Sequence, residues 1–379
     1  MHVTPTILLG VAALLIQAGL AAADPPVPKR PESLSAPPSL PTTTGCEDGD
    51  YCGIIGGAGI YFVQPFFQNN PSYYILQENQ NPLRGTGTFH FAQRVDISHH
   101  VELAPVVWLG YVAESGLGGR ARYWSFRAGT DQSVKLPPSP GPVLSTVFSA
   151  TPLGLQGFGD TLFQPNQHGR GVVEPTAVSI TSKLDLQVVD LEALQEARAG
   201  DWDFLLSGGA RLARVAQSYN FFNLQPTANP LVLRALLSSH VFDGAGPVLA
   251  VEARRPLCDC GLTFYGGARG AFLFGRAKQD AGFGGTTLRN DDANPQTASE
   301  RRDRGMAVFD LELGLEYGGE VCGSWVFGQV AVVGQDWLGA GNASRSAGNT
   351  FREGAPVGGA PQDSDIAFFG LAVRLGVNY

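Results

Sequence analysis

The side chains able to do covalent or metal chemistry are few in this chain and poorly spaced for it. The 379 residues carry six histidines, His2, His90, His99, His100, His168 and His240. His99 and His100 are adjacent, but neighbours on an extended strand point to opposite faces, so they do not form a metal pair. There is no H-E-x-x-H, no G-x-S-x-G and no phosphate-binding loop. Gly116-Leu117-Gly118 begins a dinucleotide-type fingerprint and does not complete it. A hydrolase on a β-scaffold would need a Ser or Asp beside a His on a neighbouring strand, and no spacing suggests one. The expectation is a protein without catalytic residues, metal or cofactor.

The remaining chemistry lies in charged side chains that recur every second residue. In Ala307 to Tyr317, Phe309, Leu311, Leu313 and Leu315 alternate with Val308, Asp310, Glu312, Gly314 and Glu316. Successive strand side chains face opposite ways, so one face is apolar and the other acidic. The last segment repeats the pattern, with Phe369, Leu371, Val373, Leu375, Val377 and Tyr379 against Gly370, Ala372, Arg374, Gly376 and Asn378. Leu262 to Gly275 sets Phe264, Phe272 and Phe274 against Tyr265, Gly267 and Arg269. Ser179 to Val189 sets Ile180, Leu184, Leu186 and Val188 against Thr181, Lys183, Asp185 and Gln187.

The composition says what surrounds such strands. Hydrophobic residues are 44% and charged residues 16%, against about a quarter charged in soluble domains. Something other than water therefore covers part of the surface. No stretch of the mature chain reaches the ~20 apolar residues of a spanning helix. The net charge of −8 argues against a nucleic-acid partner.

Ten strands are expected, near 57–67, 99–112, 117–128, 178–190, 202–216, 240–254, 261–275, 306–317, 324–338 and 364–379. Long connections (68–98, 129–177, 217–239, 276–305, 339–363) alternate with short ones (113–116, 191–201, 255–260, 318–323). An even count puts every short turn and both termini on one side, as in outer-membrane barrels with short periplasmic turns and long external loops. The fold class is thus all-β, a transmembrane antiparallel up-and-down barrel of about ten strands, within a range of eight to twelve. Residues 1–23, with an apolar run from Ile7 to Leu20 and small residues Ala21 to Ala23, are expected to be a signal peptide. Residues 24–56 read as a Pro-rich periplasmic linker and 57–379 as the barrel.

Charge on the lipid face is costly, so the polar faces are expected to line the lumen. That assigns Arg120, Arg122, Lys183, Arg211, Arg269 and Arg374 to the bore, opposed by Glu102, Asp185, Glu252, Asp310, Glu312 and Glu316. Such a lining can hold the wall in register, set ion selectivity, or both. Tyr111, Tyr123, Trp325, Trp337 and Tyr379 are candidates for interfacial aromatic girdles, with inward cross-strand packing the alternative for the Trp residues. Cys46, Cys52, Cys258, Cys260 and Cys322 all fall on the periplasmic side, where disulfides form. Cys258-Asp259-Cys260 is one residue too tight for a zinc pair. The layout predicts Cys46 bridged to Cys52 and Cys322 to Cys258 or Cys260, leaving one thiol over.

Several stretches resemble the Legionella-type pore-forming outer-membrane proteins. They are Gly116-Leu-Gly-Gly-Arg-Ala-Arg-Tyr-Trp124, Ser207-Gly-Gly-Ala-Arg-Leu-Ala213, Gly266-Gly-Ala-Arg-Gly270, Gln335-Asp-Trp337 and the terminal Gly370-Leu-Ala-Val-Arg-Leu-Gly-Val-Asn-Tyr379. The resemblance implies a porin-like barrel in the bacterial outer membrane, with no cofactor and no catalytic residues. The expected function is passive diffusion of ions or small solutes. The alternative is a structural or adhesive surface protein that uses the barrel as an anchor and its long loops to bind. About ten strands leave a narrow interior, which counts against a wide pore. Expected partners are outer-membrane lipid, the small solutes themselves, and the barrel-assembly machinery through the aromatic-ended last strand. An oligomer is compatible with the sequence.

Overall fold

In the computed structural model the described residues are 53–68, 70–81, 86–135, 146–151, 177–225, 231–258, 260–285, 296–344, 351–352, 355–356 and 364–379. The signal-peptide reading, the linker reading up to residue 52, and Cys46 and Cys52 lie outside them; residues 53–56, assigned to the linker, belong to the first strand. The strands are β1 (Gly53–Phe67), β2 (Pro71–Asn81), β3 (Thr86–Asp96), β4 (Glu102–Val112), β5 (Leu117–Lys135), β6 (Thr146–Thr151), β7 (Ala177–Ala199), β8 (Trp202–Gln225), β9 (Leu231–Pro256), β10 (Leu262–Gly285), β11 (Gln296–Val321), β12 (Ser324–Leu338), β13 (Phe351–Arg352), β14 (Ala355–Pro356) and β15 (Ile366–Asn378).

Ten of these strands close a barrel in the order β1-β15-β12-β11-β10-β9-β8-β7-β5-β4, with β4 paired back to β1. Every pairing is antiparallel, and β1 meets β15 from Ile55↔Asn378 to Phe67↔Ile366. The closed ladder leaves no edge with unpaired backbone groups, the condition for a sheet in hydrocarbon. The expected strand count holds, and the barrel begins at Gly53 rather than residue 57. β3, β2 and β6 form a separate three-stranded sheet within the long connections, and β13 pairs with β14.

The walls are unequal in height. β1, β4, β12 and β15 have 15, 11, 15 and 13 residues, close to the ~9–11 a tilted strand needs to cross a bilayer. β7 to β11 have 23 to 26, so that side of the barrel rises well past a membrane. Much of what the sequence assigns to long loops (217–239 and 276–305) is therefore strand. The tight ends agree with expectation: Cys322 and Gly323, at φ 52° and 77°, make the two-residue turn between β11 and β12, with positive φ at both central positions as a type I′ hairpin requires.

The outer face divides by height. Near the short-turn end it exposes Leu109, Leu191, Leu212, Leu249, Phe309, Leu315, Leu371 and Leu375, an apolar belt for lipid. Tyr111, Tyr123 and Tyr379 are exposed on this face, as girdle residues should be. Above the belt runs a row of alternating charges, Arg214↔Asp243↔Arg276↔Asp303, each the direct cross-strand partner of the next on β8 to β11. Arg127↔Asp185 occupies the neighbouring pair, β5 and β7, with Nε 2.8 Å from the carboxylate. Opposite charges at facing positions stabilise a sheet in water and are costly in lipid. The row marks where the wall leaves the membrane.

Candidate functional site

The inner face runs in the reverse order, with charge low and apolar side chains above it. β5 carries Trp124 and Phe126 above Arg122 and Arg120. β7 carries Leu184, Leu186 and Val188 above Asp190 and Glu192. β11 carries Met306 and Val308 above Asp310, Glu312 and Glu316.

The lower layer is an ion network. Asp190 accepts from Arg211 Nε at 2.7 Å and Nη2 at 3.0 Å, and from Arg122 Nη1 at 3.4 Å. Arg211 reaches on to Asp310 at 2.9 Å. Glu192 accepts from Arg120 Nε at 3.0 Å and Nη2 at 2.8 Å, and from Arg269 Nε at 3.0 Å. Glu252 lies 2.7 Å from Arg120 and 3.4 Å from Arg254, and Arg254 also meets Glu316 at 3.3 Å. Glu312 pairs with Arg374 and accepts the hydroxyls of Tyr61 at 2.8 Å and Tyr265 at 3.2 Å. The arginines 120, 122, 211, 254, 269 and 374 thus face the carboxylates 190, 192, 252, 310, 312 and 316, and the formal charges cancel. Planar guanidinium forks satisfy several carboxylate lone pairs at once, which is what buried ion pairs need to offset desolvation.

Nine of the twelve sequence-assigned bore residues belong to this network, and three do not. Lys183 and Asp185 are corrected: they point outward, Lys183 exposed and Asp185 paired with Arg127 in the charge row. Above the membrane the polarity of a barrel wall inverts, because water lies outside and packing lies within. Glu102 shares the inward parity of β4 but sits at its upper end, opposite Val63 of the apolar layer. Asp190, Glu192 and Arg254 were missed. The signal for the first two was present in β7, whose apolar face, Leu184, Leu186 and Val188, turns acidic at its lower end.

Above the network the bore is packed. Trp124 lies 6.4 Å from Tyr61, 6.1 Å from Trp337 and 6.4 Å from Phe368, ring centre to ring centre, and Phe126 lies 5.0 Å from Phe368. Trp337 and Trp325 take the inward parity, so the packing alternative is the one realised for them. Higher still, residues 339–344 turn into the barrel. Ala340, Asn342, Ala343 and Ser344 are buried there. Gln217 donates to the Gly341 carbonyl at 3.0 Å and accepts from the Ala343 amide at 3.2 Å; Ser238 donates to the Ala343 carbonyl at 2.9 Å. Gly341 sits at φ 79°, and a Cβ there would lie 2.5 Å from the His240 ring. Only glycine tolerates both conditions.

His99 and His100 part as expected, His99 buried and His100 exposed. His99 packs 5.4 Å from Phe67, outside the strands, and burial pushes its imidazole down to about 4, aided by the charge of His100.

At the short-turn end the expected cysteine pairing is overturned. Cys258 is bridged to Cys260, and Cys322 is an exposed free thiol. The two members of the C-x-C unit have Cα atoms 5.2 Å apart, inside the ~4.4–6.8 Å a bridge needs. Cys322 is out of position for them because β11 extends beyond its last contact with the β9–β10 turn, the Gly318 amide on the Gly261 carbonyl at 3.1 Å. Maleimide treatment of the folded, unreduced protein should modify Cys322, and peptide mapping should find Cys258 and Cys260 joined within one peptide. A peptide linking Cys322 to either would contradict this arrangement.

No family model matches the sequence, and no curated protein does. Among solved structures the chain is similar to the outer membrane protease OmpT from Escherichia coli, at 8% identity and a TM-score of 0.38 over 88% of this chain and 99% of that one. It is also similar to a Pseudomonas aeruginosa FadL homologue, at 7% identity and a TM-score of 0.22 over 86% and 90%.

Proposed function

We propose that this chain is a bacterial outer-membrane barrel with a closed bore, an anchor that holds the tall β7–β11 wall and the β3-β2-β6 sheet above the outer leaflet for contact with partners outside the cell. The apolar belt, the charge row above it and the sorting of the tight turns to one end support the location. The filled bore carries the functional reading: a neutral ion network, an aromatic layer and the inserted 339–344 segment lie in series along it. Passive diffusion needs a continuous column of water, and the smallest change that would begin to make one is removal of that segment. The uncleared aromatic layer would still narrow the path.

Planar-bilayer recording tests this. The native protein is expected to give no stable unit conductance. Gly341→Val places a branched side chain against the His240 ring and should expel the segment, and conductance should still be absent because the aromatic layer and the ion network remain in series below it. A steady unit conductance from the native protein would restore the diffusion pore.

A further inference from the structure

The turn between β9 and β10 carries a disulfide that its folding does not require. Pro256 and Thr263 are already direct cross-strand partners, and the Leu257 amide donates to the Leu262 carbonyl at 2.9 Å. Gly261, at φ 83°, completes the reversal, and its carbonyl accepts the Gly318 amide of β11 at 3.1 Å. The bridge joins Cys258 to Cys260, two positions apart. A cross-link removes least entropy from the unfolded chain when the loop it closes is shortest, so this one adds little to a turn that hydrogen bonds already hold. Both cysteines are exposed, and among the described residues neither belongs to an apolar cluster. Exposed bridges are the labile, exchanging ones, because a thiolate can reach their sulfurs. The bridge stands at the short-turn end, where the fold also presents the exposed Cys322 thiol.

We propose that Cys258 and Cys260 form a thiol–disulfide exchange site whose substrate is a dithiol, a pair of reduced cysteines in a polypeptide that reaches the short-turn side. One substrate thiolate attacks a bridge sulfur; the bridge breaks, a mixed disulfide forms and the other cysteine leaves as a thiolate. The second substrate thiolate then attacks the substrate's own sulfur in the mixed disulfide, and the substrate departs with an internal disulfide. Two electrons pass to the protein, and Cys258 and Cys260 take up the two protons that the substrate thiols gave up. Each chain does this once until another disulfide reoxidises the pair. A lone thiol forms only the mixed adduct, which the freed cysteine two positions away reverses, whereas a dithiol carries the exchange to completion. The site stands independently of the closed bore and of the anchor reading.

The probe is a reduced two-cysteine peptide, added in excess and without oxygen to the full chain folded in detergent. Cys46→Ser, Cys52→Ser and Cys322→Ser, made together, leave only this bridge to exchange. Acid quenching, alkylation and peptide mapping should find Cys258 and Cys260 both alkylated, with one equivalent of oxidised peptide per chain. The barrel should keep its folded gel mobility throughout. Adding Cys258→Ser and Cys260→Ser should abolish the peptide oxidation and leave the urea midpoint unchanged. A bridge that resists the peptide until the barrel is unfolded would overturn the site. So would a lowered midpoint on losing the bridge, which would make it a structural clip.

Discussion

Arg211→Met is expected to destabilise the barrel by roughly 3–5 kcal/mol, the cost of leaving a buried charge without its partner. Arg211 is 0% exposed and joins two strands that do not touch, holding Asp190 of β7 at 2.7 Å and Asp310 of β11 at 2.9 Å. Without it Asp190 keeps Arg122 at 3.4 Å and Arg269 at 4.0 Å. Asp310 has no second guanidinium in the ion pairs of the described residues and is left as an anion inside the bore. Asp310→Asn should therefore recover a substantial part of the loss in the Arg211→Met background, although alone it harms the native protein. The outer-wall pair gives the control. Arg127 is 78% exposed beside Asp185, and Arg127→Met should lie within error of the native midpoint. The measurement is the urea or temperature midpoint of the gel-mobility shift that separates folded from unfolded barrel. Equal midpoints for Arg211→Met and Arg127→Met would mean that the network is hydrated rather than closed.

Barrel closure, strand number and most of the network were legible because the period of two persists wherever lipid lies on one side and protein on the other. Ala307 to Tyr317 is the clearest case: Phe309, Leu311, Leu313 and Leu315 share the outer face, and Asp310, Glu312 and Glu316 all reach the bore. The same rule misassigns Lys183 and Asp185, since it presumes lipid outside along the whole strand. β7 passes through two solvents, and its polar side changes face between Asp185, turned outward to water, and Asp190, turned inward to Arg211. Periodicity reads the alternation and is blind to which side is wet. Nor could pattern reveal the 339–344 segment, whose burial draws on hydrogen bonds to Gln217 and Ser238, on strands more than a hundred residues away. The cysteine pairing failed for a related reason, because the extra residues of β11 beyond Gly318 carry Cys322 clear of the neighbouring turn.

Membrane insertion separates the two solvents directly. Val373 faces out from β15 within the apolar belt, and Leu313 faces out from β11 in the same zone. Val373→Arg or Leu313→Arg should each cost about 2–4 kcal/mol at the bilayer midplane and sharply lower the folded yield in lipid vesicles. Ser218→Arg places the same side chain on the outer face of β8 above the charge row, two positions beyond Arg214 in alternation, and should fold as the native chain does. The bore gives a third outcome that differs from what a water-filled lumen would allow. Glu312→Arg sets a guanidinium against Arg374 and Arg122 and strands the Tyr61 and Tyr265 hydroxyls, so it should be as damaging as the lipid-face changes. Detergent separates the causes: without a bilayer the Val373→Arg defect should shrink, while the Glu312→Arg defect persists, because its origin lies inside the barrel. If Glu312→Arg instead folds normally in both, the charged layer is solvated and the closed bore is wrong. If Ser218→Arg fails as badly as Val373→Arg, the charge row is not where the wall leaves the membrane.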